Sequence, residues 1–258
     1  MLKADKDISR IVSVLHKSKS ILFITGAGIS AESGLPTYRG IGGLYNDRVT
    51  EEGISIETAL AGETLESNPE VTWKYLGAIE KRCRGATFNR AHEIIAGMEK
   101  AFERVWVLTQ NIDGFHDLAG SRKVIDIHGD YHKLFCPKCS WQIVVNDYSG
   151  LDIPPLCPEC KHIVRPKVVF FGEMLDVDKS ALLMQELDRG FDIYFSIGTT
   201  SGFPYISQPI YLAARLGKLS VEINPDQTEI SDIVDIKLST GARSAMESIW
   251  QEYNKCYK

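Results

Sequence analysis

Residues 128–140, HGDYHKLFCPKCS, place two histidines and a Cys-x-x-Cys pair close together. After seventeen intervening residues (140–156), Cys157-x-x-Cys160 repeats the pair. Two pairs at this separation have the spacing of a zinc site. Four thiolates, from Cys136, Cys139, Cys157 and Cys160, close a tetrahedral shell and leave no position for water or substrate. Redox chemistry is the competing reading of a Cys-x-x-Cys motif, although redox pairs rarely come in twos at this spacing. His132 and His162 are available as ligands, but four cysteines make them bystanders. A closed shell makes the metal structural, so the chemistry has to be sought elsewhere.

A second candidate is the glycine-rich turn Gly26-Ala27-Gly28-Ile29-Ser30-Ala31, which matches the G-x-G-x-x-G/A dinucleotide pattern. The first glycine permits a tight turn, the second lets backbone N–H groups approach a pyrophosphate, and the helix N-terminus favours the anion. The plainer reading is a strand-to-helix turn with no ligand. Gly34 and Pro36 stop the helix after about two turns. The chain then enters TYRGIGGLYND (37–47), a polar loop long enough to close over a ligand or simply a connection.

Polar residues also cluster where apolar runs end. Gln110, Asn111 and Asp113 follow RVWVLT, and His128 follows VIDI. In open parallel sheets, ligands bind beyond the carboxyl ends of strands. Neutral histidine is the usual general base near pH 7, although a single histidine at a strand end is more often structural. Gly198, Thr199 and Thr200 end another run as a second glycine- and hydroxyl-rich cradle. Asn224 and Asp226 end a further one with side chains suited to a ribose.

The elements that must position these residues are legible in outline. Apolar spacing predicts helices over 5–17, 68–83, 89–99, 178–188, 206–216 and the last stretch from 241. Asn68-Pro69 starts the second as an N-cap followed by proline at the first helical position. Strands are expected at 21–25, 104–109, 124–127, 168–171, 191–198 and 219–224. Strands alternating with helices imply an α/β fold with a mostly parallel sheet covered on both faces. The segment from 130 to about 166 holds all four paired cysteines and reads as an inserted module.

The chain has 258 residues, 44% of them hydrophobic, enough to bury a sizeable core. Its net charge of −5 gives no electrostatic footprint for nucleic acid or an anionic membrane. No apolar run approaches the roughly 20 residues needed to span a bilayer. The first residues lack the apolar core of a signal peptide, so a cytoplasmic protein is expected. Cys83 and Cys256 are isolated and are assigned no role.

Taken together in one order, GAGISAESGLPTYRG, TQNID, HG, the paired Cys-x-x-Cys motifs, RPKVVFFGE, GTTS and IN resemble the sirtuins, the NAD-dependent protein lysine deacylases. The resemblance spans roughly residues 20–245. It implies a Rossmann-like large domain over 1–36, 101–130 and 166–258, a cofactor loop and helical module over 37–100, and a zinc ribbon over 131–165. It further implies that NAD and an acyl-lysine peptide meet between these parts, with a monomer sufficing. By the resemblance, Gly26, Ala27, Gly28 and Ser30 belong to the phosphate loop, with Tyr38 and Arg39 beyond it. Gln110, Asn111 and Asp113 serve the nicotinamide end, and Asn111, Asp113 and His128 are the catalytic residues, with His128 as the base. Gly198, Thr199, Thr200, Asn224 and Ala242 contact the rest of the nucleotide. Val169, Phe170, Phe171, Gly172 and Glu173 offer a backbone edge to which substrate peptide adds as a strand.

The chain departs from the family pattern in places. Tyr38 stands where the family has phenylalanine, Asp226 where it has glutamate, and GTTSGFPYIS carries Pro204 about one position early. The Tyr-x-x-Arg pair of relatives that take acidic acyl groups is absent: Tyr75 is followed three places on by Ala78, and Tyr45-Asn46-Asp47-Arg48 lies too early. An uncharged acyl group is therefore expected, because a carboxylate wants a well-placed arginine. Two other readings use the same residues: transfer of ADP-ribose to protein, and sensing of NAD or ADP-ribose without turnover. A nucleic-acid-binding zinc ribbon is disfavoured by charge.

Overall fold

The computed structural model describes residues 3–35 and 49–255. The expectations at Pro36, Tyr38, Arg39, residues 45–48 and Cys256 lie outside those residues.

The described strands are β1 (Ser20–Thr25), β2 (Arg104–Thr109), β3 (Val124–Asp126), β4 (Gly129–Phe135), β5 (Gln142–Val144), β6 (Arg165–Val168), β7 (Ile193–Ile197), β8 (Leu219–Ile223) and β9 (Ile236–Leu238). The helices are α1 (Lys3–Leu15), α2 (Ala27–Ala31), α3 (Ile56–Ala59), α4 (Gly62–Ser67) and α5 (Pro69–Cys83). After them come α6 (Arg90–Met98), α7 (Phe115–Leu118), α8 (Val177–Asp188), α9 (Pro204–Arg215) and α10 (Ala242–Lys255). Among the described residues no helix is long and apolar enough to cross a membrane.

Six strands form one parallel sheet in the order β3-β2-β1-β7-β8-β9. β1 lies at its centre and is buried along its whole length, which is why SILFIT reads as an uninterrupted apolar run rather than an alternating one. Its alternate residues serve two cores. Ile21 and Phe23 pack with α1, α6 and α10, whereas Leu22 and Ile24 pack with α8 and α9. A three-stranded antiparallel sheet, β5-β4-β6, carries the cysteines. It shares a third core with α3, α4 and α5, and Trp73 of α5 ties the two together by donating Nε1–H to the Val164 carbonyl at 3.0 Å.

Some expectations need correction. The run 168–171 is not a strand of the large sheet: β6 ends at Val168 and pairs with β4 in the small one. Asn68 occupies the N-cap of α5, but its side chain makes no capping bond there. β9, an edge strand of three residues, was not foreseen, nor was β4 beginning at Gly129.

Register aligns the carboxyl ends of the large sheet. Thr25 pairs with Thr109 and Ile197, Thr109 with Asp126, Ile197 with Ile223, and Ile223 with Leu238. The residues that follow these ends, namely Gly26, Gln110, His128, Gly198 and Asn224, therefore emerge along one rim. The chain's order reverses between β1 and β7, so the crevice of a doubly wound sheet opens at Gly26 and Gly198.

Candidate active site

At the switch point two backbones touch without side chains between them. Gly28 N–H donates to the Gly198 carbonyl at 2.8 Å, and Gly26 N–H to the Ile197 carbonyl at 3.1 Å. A Cβ on Gly28 would lie 2.6 Å from Gly198 Cα, and one on Gly26 would lie 2.7 Å from Thr199 Cβ. Gly198 also holds φ +60°, the left-handed region that glycine tolerates best. Close approach, not turn geometry alone, explains these three glycines.

The rim side chains are tied to this turn. Asn111 Nδ2 donates to the Gly26 carbonyl at 3.1 Å and to Ser30 Oγ at 3.2 Å. Ser30 donates in turn to Asp113 Oδ2 at 2.8 Å, while Phe115 N–H donates to Oδ1 at 3.0 Å. Burial pushes the Asp113 carboxyl up, and those two donors only partly oppose it. Gln110 Nε2 donates to Thr199 Oγ1 at 2.6 Å, and Asn224 Nδ2 donates to the Thr199 carbonyl at 3.1 Å. Thr200, next to Thr199, is exposed. Asn111 is 4% and Asp113 8% exposed, so both are presented from fixed, desolvated positions. An open cleft lies here, walled by Ala27, Ser30, Leu35, Leu76, Asn111 and Asp113.

His128 stands at the end of β3. Its Nδ1 lies 3.1 Å from the Gln110 carbonyl, and its Nε2 lies 2.7 Å from the Tyr205 hydroxyl. Burial, and secondarily the Lys179 charge, hold the imidazole below its ordinary value, with the Gln110 carbonyl opposing. A ring that is neutral at pH 7 and aimed along the rim is suited to accept a proton. Tyr205 was missed in the sequence, although it lies in the departing segment GTTSGFPYIS. A second histidine, His116, is fully enclosed and bonds Thr25 Oγ1 through Nε2 at 3.0 Å, bracing the end of β1 from behind.

The remaining expectations fare differently. Ala242 begins α10 and is buried, 3% exposed, in the same core as Ile29, so its methyl is not a surface group. Residues 169–173 do not run as one extended edge: Phe171 makes an isolated parallel bridge with Ala61, and the chain turns at Gly172. Glu173 N–H donates to the Phe170 carbonyl at 3.1 Å, and Gly172 has φ +81°. Phe171 is already bridged by its backbone to Leu60 and Gly62, and Val169 N–H donates to the His128 carbonyl at 2.9 Å. Arg165 grips Glu173 with two hydrogen bonds, 2.7 and 2.8 Å, and this pins the turn.

The four cysteine sulfurs lie within 4.8 Å of one another, with Cys136–Cys160 at 3.3 Å and Cys139–Cys157 at 3.5 Å. Those distances are too long for disulfides, whose sulfurs are about 2.0 Å apart. They fit one zinc ion, because zinc–sulfur bonds of about 2.3 Å set tetrahedral ligands roughly 3.8 Å apart. The histidines stay outside the set: His132 Nδ1 faces Asp130 Oδ1 at 2.9 Å, and the His162 carbonyl accepts from Cys157 N–H at 2.8 Å.

Residues 26–202 match the model of the Sir2 family. A Pseudomonas aeruginosa protein named NAD-dependent protein deacylase 2 is 43% identical over 245 residues, covering 94% of this chain and 95% of its own. A protein named NAD-dependent protein deacylase 1 from Archaeoglobus fulgidus is 35% identical, covering 95% of this chain and 98% of its own. Among solved structures, a Sir2 homolog in complex with NAD superposes with a TM-score of 0.85 at 32% identity, covering 97% of this chain and 95% of that one. A Sir2 variant holding deacetylated p53 peptide and 3′-O-acetyl ADP ribose gives a TM-score of 0.84 at 27% identity, covering 95% of this chain and 98% of that one. By family match, identity and fold alike, the chain belongs to the Sir2 family.

Proposed function

We propose that this protein is an NAD-dependent protein lysine deacylase: it moves an acyl group from lysine to ADP-ribose and releases nicotinamide. The single observation that carries the reading is a neutral, desolvated His128 on the same strand-end rim as the backbone cradle of Gly26, Gly28 and Gly198. That juxtaposition, in a chain 43% identical to a protein named as a deacylase, calls for a base beside a dinucleotide.

The residues present fit NAD. Its pyrophosphate needs a cradle free of Cβ atoms, which the paired glycines provide. Its carboxamide end needs polar partners in an apolar recess, which Asn111, Asp113 and the Ile112 backbone offer beside Leu35 and Leu76. When bound, NAD supplies an activated ribose carbon with nicotinamide as leaving group. Ser30 and Asn111 hold the turn and the recess together, so the nucleotide meets donors that need no reorganisation. Asp113 orients the carboxamide. Thr199, fixed by Gln110 and Asn224, lines the ribose-phosphate path. His128 takes the proton of a ribose hydroxyl at Nε2. The zinc-bound ribbon takes no part in the chemistry. It holds β4 and β6, and so the turn at 169–173, in place for peptide to reach the cleft.

An uncharged acyl group is the substrate this reading favours. Ala78 offers no guanidinium, Tyr75 is engaged by Glu51 and Glu52 through its hydroxyl, and the described cleft wall contains Glu80 rather than a cation. The division into a nucleotide-side domain (1–36, 101–130 and 166–258), a helical module (37–100) and a ribbon (131–165) needs adjusting at its edges: α6 packs with the large sheet, and α3–α5 share one core with the ribbon. Four cysteines gathered as a zinc site rather than as disulfides suit a reducing compartment, in keeping with a cytoplasmic location. All proposed residues come from one chain, so a monomer suffices.

The test is one reaction followed by mass spectrometry, with NAD and an acetyl-lysine peptide. The reading requires nicotinamide, deacetylated peptide and O-acetyl-ADP-ribose in equal amounts. NAD binding without any of the three products overturns it, and a panel of longer and acidic acyl groups reads the specificity.

A further inference from the structure

Two hydrogen bonds bracket the His128 ring. The Gln110 carbonyl can only accept, so Nδ1 carries the proton and the neutral ring's lone pair sits on Nε2. The hydroxyl that reaches that lone pair belongs to Tyr205, one residue into α9, at 2.7 Å. Its ring is not free to wander: Phe203 and Tyr205 stack at 5.5 Å and 14°, and each stands edge-on to His128 at 5.9 Å. Burial pushes the Tyr205 phenol up to about 12, so it remains a donor across the working pH range.

We propose that Tyr205 is a positioning residue that caps the lone pair of His128 in the ligand-free enzyme and exchanges with the ribose hydroxyl that His128 deprotonates. The identity of the incoming hydroxyl rests on the deacylase reading; the cap itself does not. One lone pair accepts one strong hydrogen bond, so the two hydroxyls compete for Nε2 and Tyr205 turns aside when the ribose arrives. The exchange breaks one O–H···N bond and forms another, and no proton moves until the ribose O–H bond breaks toward Nε2. Until then the cap, donating to Nε2, and the Gln110 carbonyl, accepting from Nδ1, together select the Nδ1–H tautomer of the neutral ring. Among the described residues, the other groups facing His128 do not duplicate the cap. Lys179 of α8 repels the imidazolium but is occupied by Asp126, at 2.7 Å from Oδ1 and 2.8 Å from the backbone oxygen. The Gln110 carbonyl favours the proton on Nδ1, and Phe203 is apolar.

Tyr205→Phe removes one oxygen and keeps the ring that stacks on Phe203. Nuclear magnetic resonance of the ligand-free protein, with labelled histidine and His128→Asn for assignment, follows the titration of His128 in wild type and variant. Loss of the cap removes a hydroxyl that donates to the neutral ring and accepts from the imidazolium, two bonds of unequal strength, so the His128 pKa shifts by roughly 0.5 to 1 unit. The acid limb of kcat/KM moves with it by the same amount. Coincident His128 titrations in the two proteins overturn the cap. If the titrations differ while wild type releases no deacylated peptide, the cap stands and the deacylase reading falls. If wild type turns over while the titrations coincide, the deacylase reading stands and the cap falls.

Discussion

Ser30 Oγ donates to Asp113 Oδ2 at 2.8 Å, joining the turn after β1 to the loop after β2 at the floor of the cleft. Without that bond the buried carboxyl loses one of its two donors among the described residues, the other being Phe115 N–H. Ser30→Ala is therefore expected to raise the Asp113 pKa further and to weaken NAD binding about 10- to 100-fold, the cost of an unsatisfied buried charge of about 1–3 kcal/mol. Calorimetric titration with NAD measures it. Unchanged affinity would show that Asp113 does not need Ser30.

His128→Ala removes the base and nothing that holds the fold. Turnover should fall about 10²- to 10⁴-fold while NAD affinity stays within a few-fold. In the wild type, burial keeps the imidazole below its ordinary 6.5. The active form is the neutral one, so rate rises with pH through that depressed value, and the acid limb of kcat/KM lies below pH 6.5. An acid limb above that value would contradict the placement.

Gly28→Ala puts a methyl carbon 2.6 Å from Gly198 Cα, backbone against backbone, where no side chain can swing away. Overpacking of this kind costs about 1–3 kcal/mol and should also widen the cradle. Thermal unfolding should drop by several degrees, with NAD affinity falling in parallel. Gly77→Ala meets nothing within 4 Å and serves as the control.

Cys136→Ser opens the zinc shell. One zinc per chain is expected in the wild type by atomic absorption, and markedly less in the variant. Structural zinc contributes folding energy directly, so the midpoint of thermal unfolding should fall by roughly 10 °C, with protease cutting first within the ribbon. A variant of unchanged stability would show the ribbon to hold itself without metal.

Two enclosed histidines make acid stability informative. Burial lowers His92 to about 4 and His116 well below its ordinary value. Between pH 6.5 and about 4 the unfolded chain binds protons at both and the folded chain does not. The unfolded state thus holds more protons, so stability rises with pH in that window and falls on acidification, by up to about 1.4 kcal/mol per pH unit for each histidine. Urea midpoints from pH 7.5 to 5 measure the slope, and His116→Gln should roughly halve this part of it.

Short-range spacing carried most of what the sequence disclosed. The cysteine pairs, the glycine turn and the polar residues after RVWVLT and VIDI are all local patterns, and the parallel register then sets their ends on one rim. Apolar runs disclosed less. VVFF announces burial but not which sheet receives it, so β6 was assigned to the wrong one. β9 is too short and too polar at its flanks to stand out. Ala242 has the composition of either a cleft or a core residue, and only packing decides for the core. Tyr205 was illegible because its meaning depends on a partner 77 positions away.

Gly129 and Val168 face each other across β4 and β6, and Val169 N–H bonds back to the His128 carbonyl at 2.9 Å. The metal-bearing segment therefore leaves the main chain and rejoins it at a single doorway, within the long connection from β3 to α8. Its two ends serve as a natural splice junction. A ribbon of different length or surface can be exchanged there as a cassette without altering the path of any strand in the large sheet. Protein engineers thus have a place to graft new recognition surfaces, as long as the buried Leu134, Tyr148 and Val164 that share a core with Trp73 are kept.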